Sequence, residues 1–199
     1  MRLLCGLSAG FAAIPFFAGA MESAQVPREH AWSLSLYAGP ATTKYFGAIL
    51  QGFDFQPRSV MIGLAANRPF LDLGWGIALS GELQVTQYVF GHRNTSFAAG
   101  LGIRANEPFG LAGTSLSIHD GPSYALNPPH TSIGYGNTLQ PSWRKKFLNY
   151  VSIEFAVSLS QARDWDGVFR VYHRSGAFGL FSRGNDDGAA IGFGVRHNF

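Results

Sequence analysis

The sequence predicts an all-β fold, an eight-stranded antiparallel transmembrane β-barrel, and three observations carry that prediction. Apolar and polar residues alternate with a period of two from one end of the chain to the other, as strands with two unlike faces require. Charged residues make up only 14% of the 199 residues while glycine reaches 25, whereas soluble domains carry roughly 25% charged residues. The chain also ends on an alternating segment whose last residue is Phe199. Beyond the N-terminal stretch no run reaches the 18 or so unbroken apolar residues of a membrane helix, and a charge-poor, aromatic, Gly-rich chain without spanning helices fits a barrel better than a soluble core.

Residues 1–20 read as a secretory signal peptide. Arg2 supplies the positive start, Leu3 to Ala18 is apolar, and Ala18-Gly19-Ala20 has the small-x-small form that signal peptidase cuts, leaving Met21 first. Glu22-Ser23-Ala24 offers a second cut. Pro15 and the glycines interrupt a stretch already short for an anchor. The expectation is therefore one barrel over residues 21–199, exported to the outer membrane of a Gram-negative cell. Cys5 leaves with the signal, so the mature chain has no disulfide, thiol nucleophile or thiolate metal site.

The predicted strands follow in order as 31–38, 58–66, 74–89, 95–104, 111–119, 148–160, 166–175 and 188–199. In the third, Trp75, Ile77, Leu79, Leu83, Val85 and Val89 oppose Ser80, Glu82, Gln84, Thr86 and Tyr88. In the fourth, Phe97, Leu101 and Ile103 oppose Ser96, glycines and Arg104. The sixth sets Val151, Ile153, Phe155, Val157 and Leu159 against Tyr150, Ser152, Glu154, Ala156 and Ser158. In the last, Ile191, Phe193, Val195, His197 and Phe199 alternate with Gly192, Gly194, Arg196 and Asn198. This resembles the terminal strand by which outer-membrane barrels are recognised for assembly, so the barrel-assembly machinery is an expected partner through Phe199. A ninth candidate, 45–55, has Phe46, Ile49, Leu50 and Phe53 on no single face. Since a barrel with both ends in the periplasm needs an even number of strands, 45–55 is read as an irregular excursion.

Topology follows from that parity. The turns near 67–73, 105–110 and 161–165 become periplasmic, and the long segments 120–147, with Pro128-Pro129, and 176–187 become surface loops. Glu82 and Glu154 face the lumen and are expected to pair with Arg104, Arg170 or Arg196, because an unpaired buried charge is expensive. Eight strands leave a lumen filled by side chains, which argues against a porin.

The seventh strand breaks the pattern. In Phe169-Arg170-Val171-Tyr172-His173-Arg174-Ser175 the odd positions begin apolar, so His173 and Ser175 should share the lipid-facing side. Polar groups aimed at hydrocarbon are costly unless they have partners or a task, and by the topology above these lie in the outer leaflet. Two residues apart on one strand face are about 7 Å apart. A neutral His173 can thus take the Ser175 proton during attack on an ester. An acid would orient the imidazole, with Asp187, of matching odd parity, the first candidate and Asp186 the second.

The same segment, with Gly184-Asn-Asp-Asp-Gly and the ending Gly194-Val-Arg-His-Asn-Phe, resembles the lipid A deacylases of the PagL type over the C-terminal 35 residues. Their motif is an Arg, then His-x-Ser-Asn near the end of the penultimate strand, with an acid in or before the last. The resemblance implies a serine esterase that removes an ester-linked acyl chain, the 3-position hydroxyacyl chain, from lipid A of lipopolysaccharide. Ser175 would be the nucleophile, His173 the base and Asp187 the orienting acid, with Arg170 at the motif's Arg. Alignment on the Asn-Asp-Gly element instead puts Ala190 at the acid. Gly176 stands where the motif has Asn, so its backbone N–H is the candidate for oxyanion stabilisation.

Arg144-Lys145-Lys146 is either a lipid A phosphate contact or a solvated charge run. No cofactor is expected. His92, His119 and His130 lack ligand spacing, so no metal is expected either. A net charge of +3 without a basic-aromatic motif gives no case for nucleic acid. The competing reading is a non-enzymatic small barrel with a structural or surface-binding role, and the sequence leaves a homodimer open.

Overall fold

The computed structural model describes residues 32–42, 59–89, 94–127, 133–134, 146–159, 164–176 and 185–199. The predicted signal peptide and the excursion 45–55 lie outside these residues. The barrel consists of β1 (Ser33–Thr42), β2 (Ser59–Gly74), β3 (Ile77–Val89), β4 (Asn94–Asn106), β5 (Thr114–Ala125), β6 (Phe147–Ser158), β7 (Trp165–Ser175) and β8 (Asn185–Asn198). Each strand pairs antiparallel with the next, and β8 returns to pair with β1, so the ladder closes on itself. The eight-stranded antiparallel barrel read from the alternation is the fold. Direct pairing of β1 with β2, from Ser33↔Asn67 to Ala41↔Ser59, leaves no barrel position for a strand between them. A two-residue strand, Ile133–Gly134, adds to β8 opposite Asp186 and Asn185.

Burial alternates as the sequence predicts, but the polarity is the reverse of a soluble domain. Glu82, Gln84, His119, Ser152, Glu154, Arg170, Tyr172, Arg174 and Arg196 point inward and are buried. Leu36, Leu64, Leu83, Phe97, Leu101, Ile118, Phe193 and Val195 point outward and are exposed, Leu101 by 69%. A continuous apolar exterior of this extent would be costly in water, and a closed ladder leaves no unpaired strand edge. Together they are what a strand-built membrane span requires. At the end of the barrel that holds the C-terminus, Trp165 meets His197 and His197 meets Phe199 edge to face, with ring centroids 4.6 Å apart in each pair. Nearby, the Arg68 guanidinium lies 5.4 Å from the Trp32 ring centroid. Aromatic rings grouped in this way mark a membrane–water boundary, and the imidazole of His197 takes its place among them.

The lumen is filled by side chains. Arg170 pairs with Glu82 and, at 3.1 Å, with Glu154, and it donates to Gln84 Oε1 at 2.5 Å. Arg196 pairs with Glu154 at 2.9 Å and with Asp166 at 2.6 Å. The expected network thus forms around Arg170 and Arg196, while Arg104 donates to Asn106 Oδ1 at 3.1 Å. Arg170 also lies 5.0 Å from the ring centroid of Tyr37. That ring lies across the lumen because position 63 is glycine; a Cβ there would collide with it.

Several strand ends differ from the sequence reading: β1 runs on to Thr42, and β8 starts at Asn185, inside the predicted loop 176–187. Two differ most. The predicted turn at 67–73 is strand, and the reversal falls at Trp75-Gly76. Pro69 reads as a breaker, but pairing with β1 ends at Asn67. Beyond that point β2 has β3 on one side only, so the missing N–H of Pro69 costs little. Register shifts between Pro69 and Leu71 and between Asp72 and Gly74 absorb the irregularity. The second correction concerns β5, which starts at Thr114 rather than 111 and continues to Ala125. Asp120, Gly121 and Pro122 therefore belong to the barrel wall, not to the predicted loop 120–147. Pro122 is held in register by Asn149 on the neighbouring strand.

Candidate functional site

On β7 the even positions Arg170, Tyr172 and Arg174 are buried in the lumen, so His173 and Ser175 belong to the outward face, as their parity predicts. They lie at the end of the barrel opposite the C-terminus. Arg174, between them, anchors the strand from inside. Its Nε donates to Ser123 Oγ at 2.9 Å and its Nη2 to the Lys146 carbonyl at 3.0 Å.

The outward face is not open lipid surface at His173, which is only 8% exposed. Its Nδ1 lies 3.0 Å from the carbonyl oxygen of Gly188 on β8. A carbonyl can only accept, so Nδ1 carries the hydrogen and a neutral imidazole keeps its lone pair on Nε2. This is the tautomer a general base needs, and a backbone carbonyl fixes it. Sequence reasoning missed Gly188. No residue pattern announces it: its φ of +84°, a left-handed conformation that favours glycine, appears only in the folded chain.

That conformation belongs to a register shift between β7 and β8. His173 pairs with Ala189 but Ser175 pairs with Asp186, so two residues of β8, Asp187 and Gly188, stand opposite Arg174 alone. Such a bulge reverses side parity on one strand. The parity that singled out Asp187 therefore does not run unbroken along β8, and the backbone sets Asp186 across from Ser175. The side chains of Asp186 and Asp187 lie outside the described residues.

On its other edge Ser175 pairs with Asn149 of β6, and His173 pairs with Val151. Directly paired residues share a face, so Asn149 is outward too, and it donates through Nδ2 to Asp120 Oδ1 at 2.5 Å. Asp120 pairs with Val151 across the β5–β6 ladder. An Asp, an Asn, a His and a Ser thus occupy adjoining positions on the outward face of three strands. Neither Asp120 nor Asn149 was foreseen: the strand carrying Asp120 was expected to stop one residue earlier, and Asn149 lay within its predicted strand but was not singled out. Their parity would have exposed both, since inward positions are odd on β5 and even on β6.

Gly176, the candidate oxyanion donor, follows β7 directly and is buried. Lys146 is exposed just before β6, with its carbonyl accepting from Arg174 and from the Ala125 N–H. Arg144 and Lys145 lie outside the described residues, as do His92 and His130. His119 is a lumen residue, 2.8 Å from both Asn67 Nδ2 and Ser80 Oγ. It is part of the packing inside the barrel and remote from the outward patch.

No family model and no curated protein matches the chain. Among solved structures the barrel is similar to the Yersinia pestis outer membrane protein Ail, determined in a phospholipid bilayer nanodisc. The TM-score is 0.49 and the identity 10%, over 86% of this chain and 100% of that one.

Proposed function

We propose that this protein is an outer-membrane serine esterase that removes an ester-linked acyl chain, the 3-position hydroxyacyl chain, from lipid A in the outer leaflet. The observation that carries the reading is the outward His173–Ser175 pair with its imidazole tautomer fixed by Gly188. Soluble hydrolases sink such groups in a cleft. Here they sit on the wall of a membrane barrel, where an ester within the lipid layer can reach them. With the N-terminus in the periplasm, their end of the barrel lies in the leaflet that holds lipopolysaccharide.

Ser175 Oγ attacks the acyl carbonyl carbon while its proton passes to His173 Nε2. The tetrahedral intermediate collapses, the bond to the sugar oxygen breaks, and that oxygen leaves with the proton from His173. Water then attacks the acyl-serine with His173 again as base, releasing the fatty acid and restoring Ser175. Asp187 or Asp186 completes the charge balance around the imidazolium. Lys146, with Arg144 and Lys145, meets the lipid A phosphates. The signal peptide delivers the chain to the periplasm, and Phe199 presents the last strand to the assembly machinery.

The test is mass spectrometry of lipid A from a lipopolysaccharide-containing host expressing the chain, beside Ser175→Ala and His173→Ala at matched levels of folded barrel. Loss of one hydroxyacyl chain in the wild type alone is the expected result. Unchanged lipid A with the wild-type barrel folded would favour the non-enzymatic structural or surface-binding barrel, a reading that Gly176 in place of the motif's Asn supports.

A further inference from the structure

Resting on that esterase reading, we infer that Asn149 is a further catalytic residue of this site. Its amide N–H stabilises the oxygen that becomes negative when Ser175 attacks, and Asp120 is the residue that positions it.

The inference starts from cost. Asp120 and Asn149 lie on the outward wall among Leu101, Ile118, Tyr124 and Val151, a face otherwise built for lipid. Polar and ionisable groups at such positions are expensive and mark function by default. Nothing in the lumen network calls for them, because the buried charges there are matched by Arg170 and Arg196. The two outward residues instead adjoin the two that carry the proposed chemistry.

Geometry then separates their roles. Asn149 and Ser175 are direct partners across the β6–β7 ladder, which places their Cβ atoms about 4.5–5.5 Å apart on one face. An amide there is within reach of an acyl carbonyl oxygen whose carbon is being bonded by Ser175 Oγ. Asp120 is two strands from His173, with Val151 between them. It is therefore too far to orient the imidazole, at about 10 Å for two strand spacings, and is not the acid of a triad.

Chemistry fixes the amide's orientation. A carboxylate only accepts, so the group 2.5 Å from Asp120 Oδ1 must be the Asn149 NH2 rather than its oxygen. One of the two amide hydrogens is spent on Asp120. The second remains for a substrate oxygen, held in plane by the first. In the attack step the electron pair of the C=O π bond moves onto that oxygen, and the Asn149 N–H meets the developing charge. A donor already in place supplies such stabilisation without reorganisation. It also fills a need that Gly176 creates, since the side-chain amide the motif places after the Ser is absent from this chain.

The test uses the full barrel purified in detergent micelles, with folding verified by heat-modifiable gel mobility and kcat and KM measured on lipid A. Asn149→Ala and Asn149→Asp are each expected to lower kcat per folded barrel by about 10²–10³-fold, the loss typical of one oxyanion donor, with KM little changed. Asp120→Asn keeps an acceptor for the amide and is expected to retain most of the wild-type kcat, whereas Asp120→Ala loses it. An active wild type whose Asn149→Ala variant keeps kcat within a factor of about three would overturn the inference alone, because oxyanion donors do not act so weakly. Loss confined to folded yield or to KM would overturn it too, since a structural or binding role moves only those. A folded wild type that cleaves nothing would overturn the esterase reading and this inference with it.

Discussion

Gly188 carries the tightest constraint on the proposed chemistry. At φ +84° it holds a conformation that costs other residues about 1–2 kcal/mol, and its carbonyl receives the His173 Nδ1–H. Gly188→Ala is therefore expected to relax the bulge, move that carbonyl and lower lipid A deacylation while the barrel still folds. Mass spectrometry of lipid A beside a gel-mobility measurement of folded barrel checks both halves. Full activity in a folded Gly188→Ala barrel would show that His173 takes its orientation elsewhere. Asp186 and Asp187 are the groups to substitute next, one at a time.

The strands place these residues by two devices, alternation and its interruption. Alternation sends Arg170, Tyr172 and Arg174 inward, and so sends His173 and Ser175 outward without further instruction. Interruption at the β7–β8 bulge then brings Gly188 to the imidazole and Asp186 across from Ser175. Away from that patch the outer face is set by lipid. Leu83, 60% exposed in the middle of β3, belongs to the apolar band. Leu83→Arg is expected to destabilise the barrel by about 2–4 kcal/mol, the cost of a cation near the bilayer midplane. Equilibrium denaturant unfolding from lipid vesicles measures it, and a neutral result would mean that this face does not contact hydrocarbon.

The barrel as a whole is held together inside by charge and outside by lipid. Arg170 is fully buried between Glu82 and Glu154 and touches strands distant in sequence. Removing one partner of a buried pair strands the other charges, at about 3–5 kcal/mol. Arg170→Ala is thus expected to lower unfolding stability by that amount in the same vesicle assay. Arg170 also stands at the Arg of the lipid A deacylase motif, yet its side chain faces the lumen while the Ser175 hydroxyl faces outward. Any loss of activity in Arg170→Ala should therefore follow the loss of folded barrel, not exceed it.

How much of this was readable beforehand depended on range. Strand number, the polarity of the two faces, the outward parity of His173 and Ser175 and the pairing of Glu82 and Glu154 with arginines were legible, because period-two alternation is local and a buried charge must find a partner. Strand ends were less so. Pro69 and the Asp120-Gly121-Pro122 run look like breakers, and only the missing neighbour of β2 and the register with Asn149 explain why they are strand.

The amino-acid order alone determined a barrel with polar residues inside, apolar residues outside and a His-x-Ser pair on the wrong side of its seventh strand. Only the tertiary structure decided what surrounds that pair: the Gly188 carbonyl, the register of Asp186, and Asn149 with Asp120. The reason is physical. A residue's face is a property of its own strand, whereas its neighbours across the ladder depend on register, and one bulge on β8 is enough to change them.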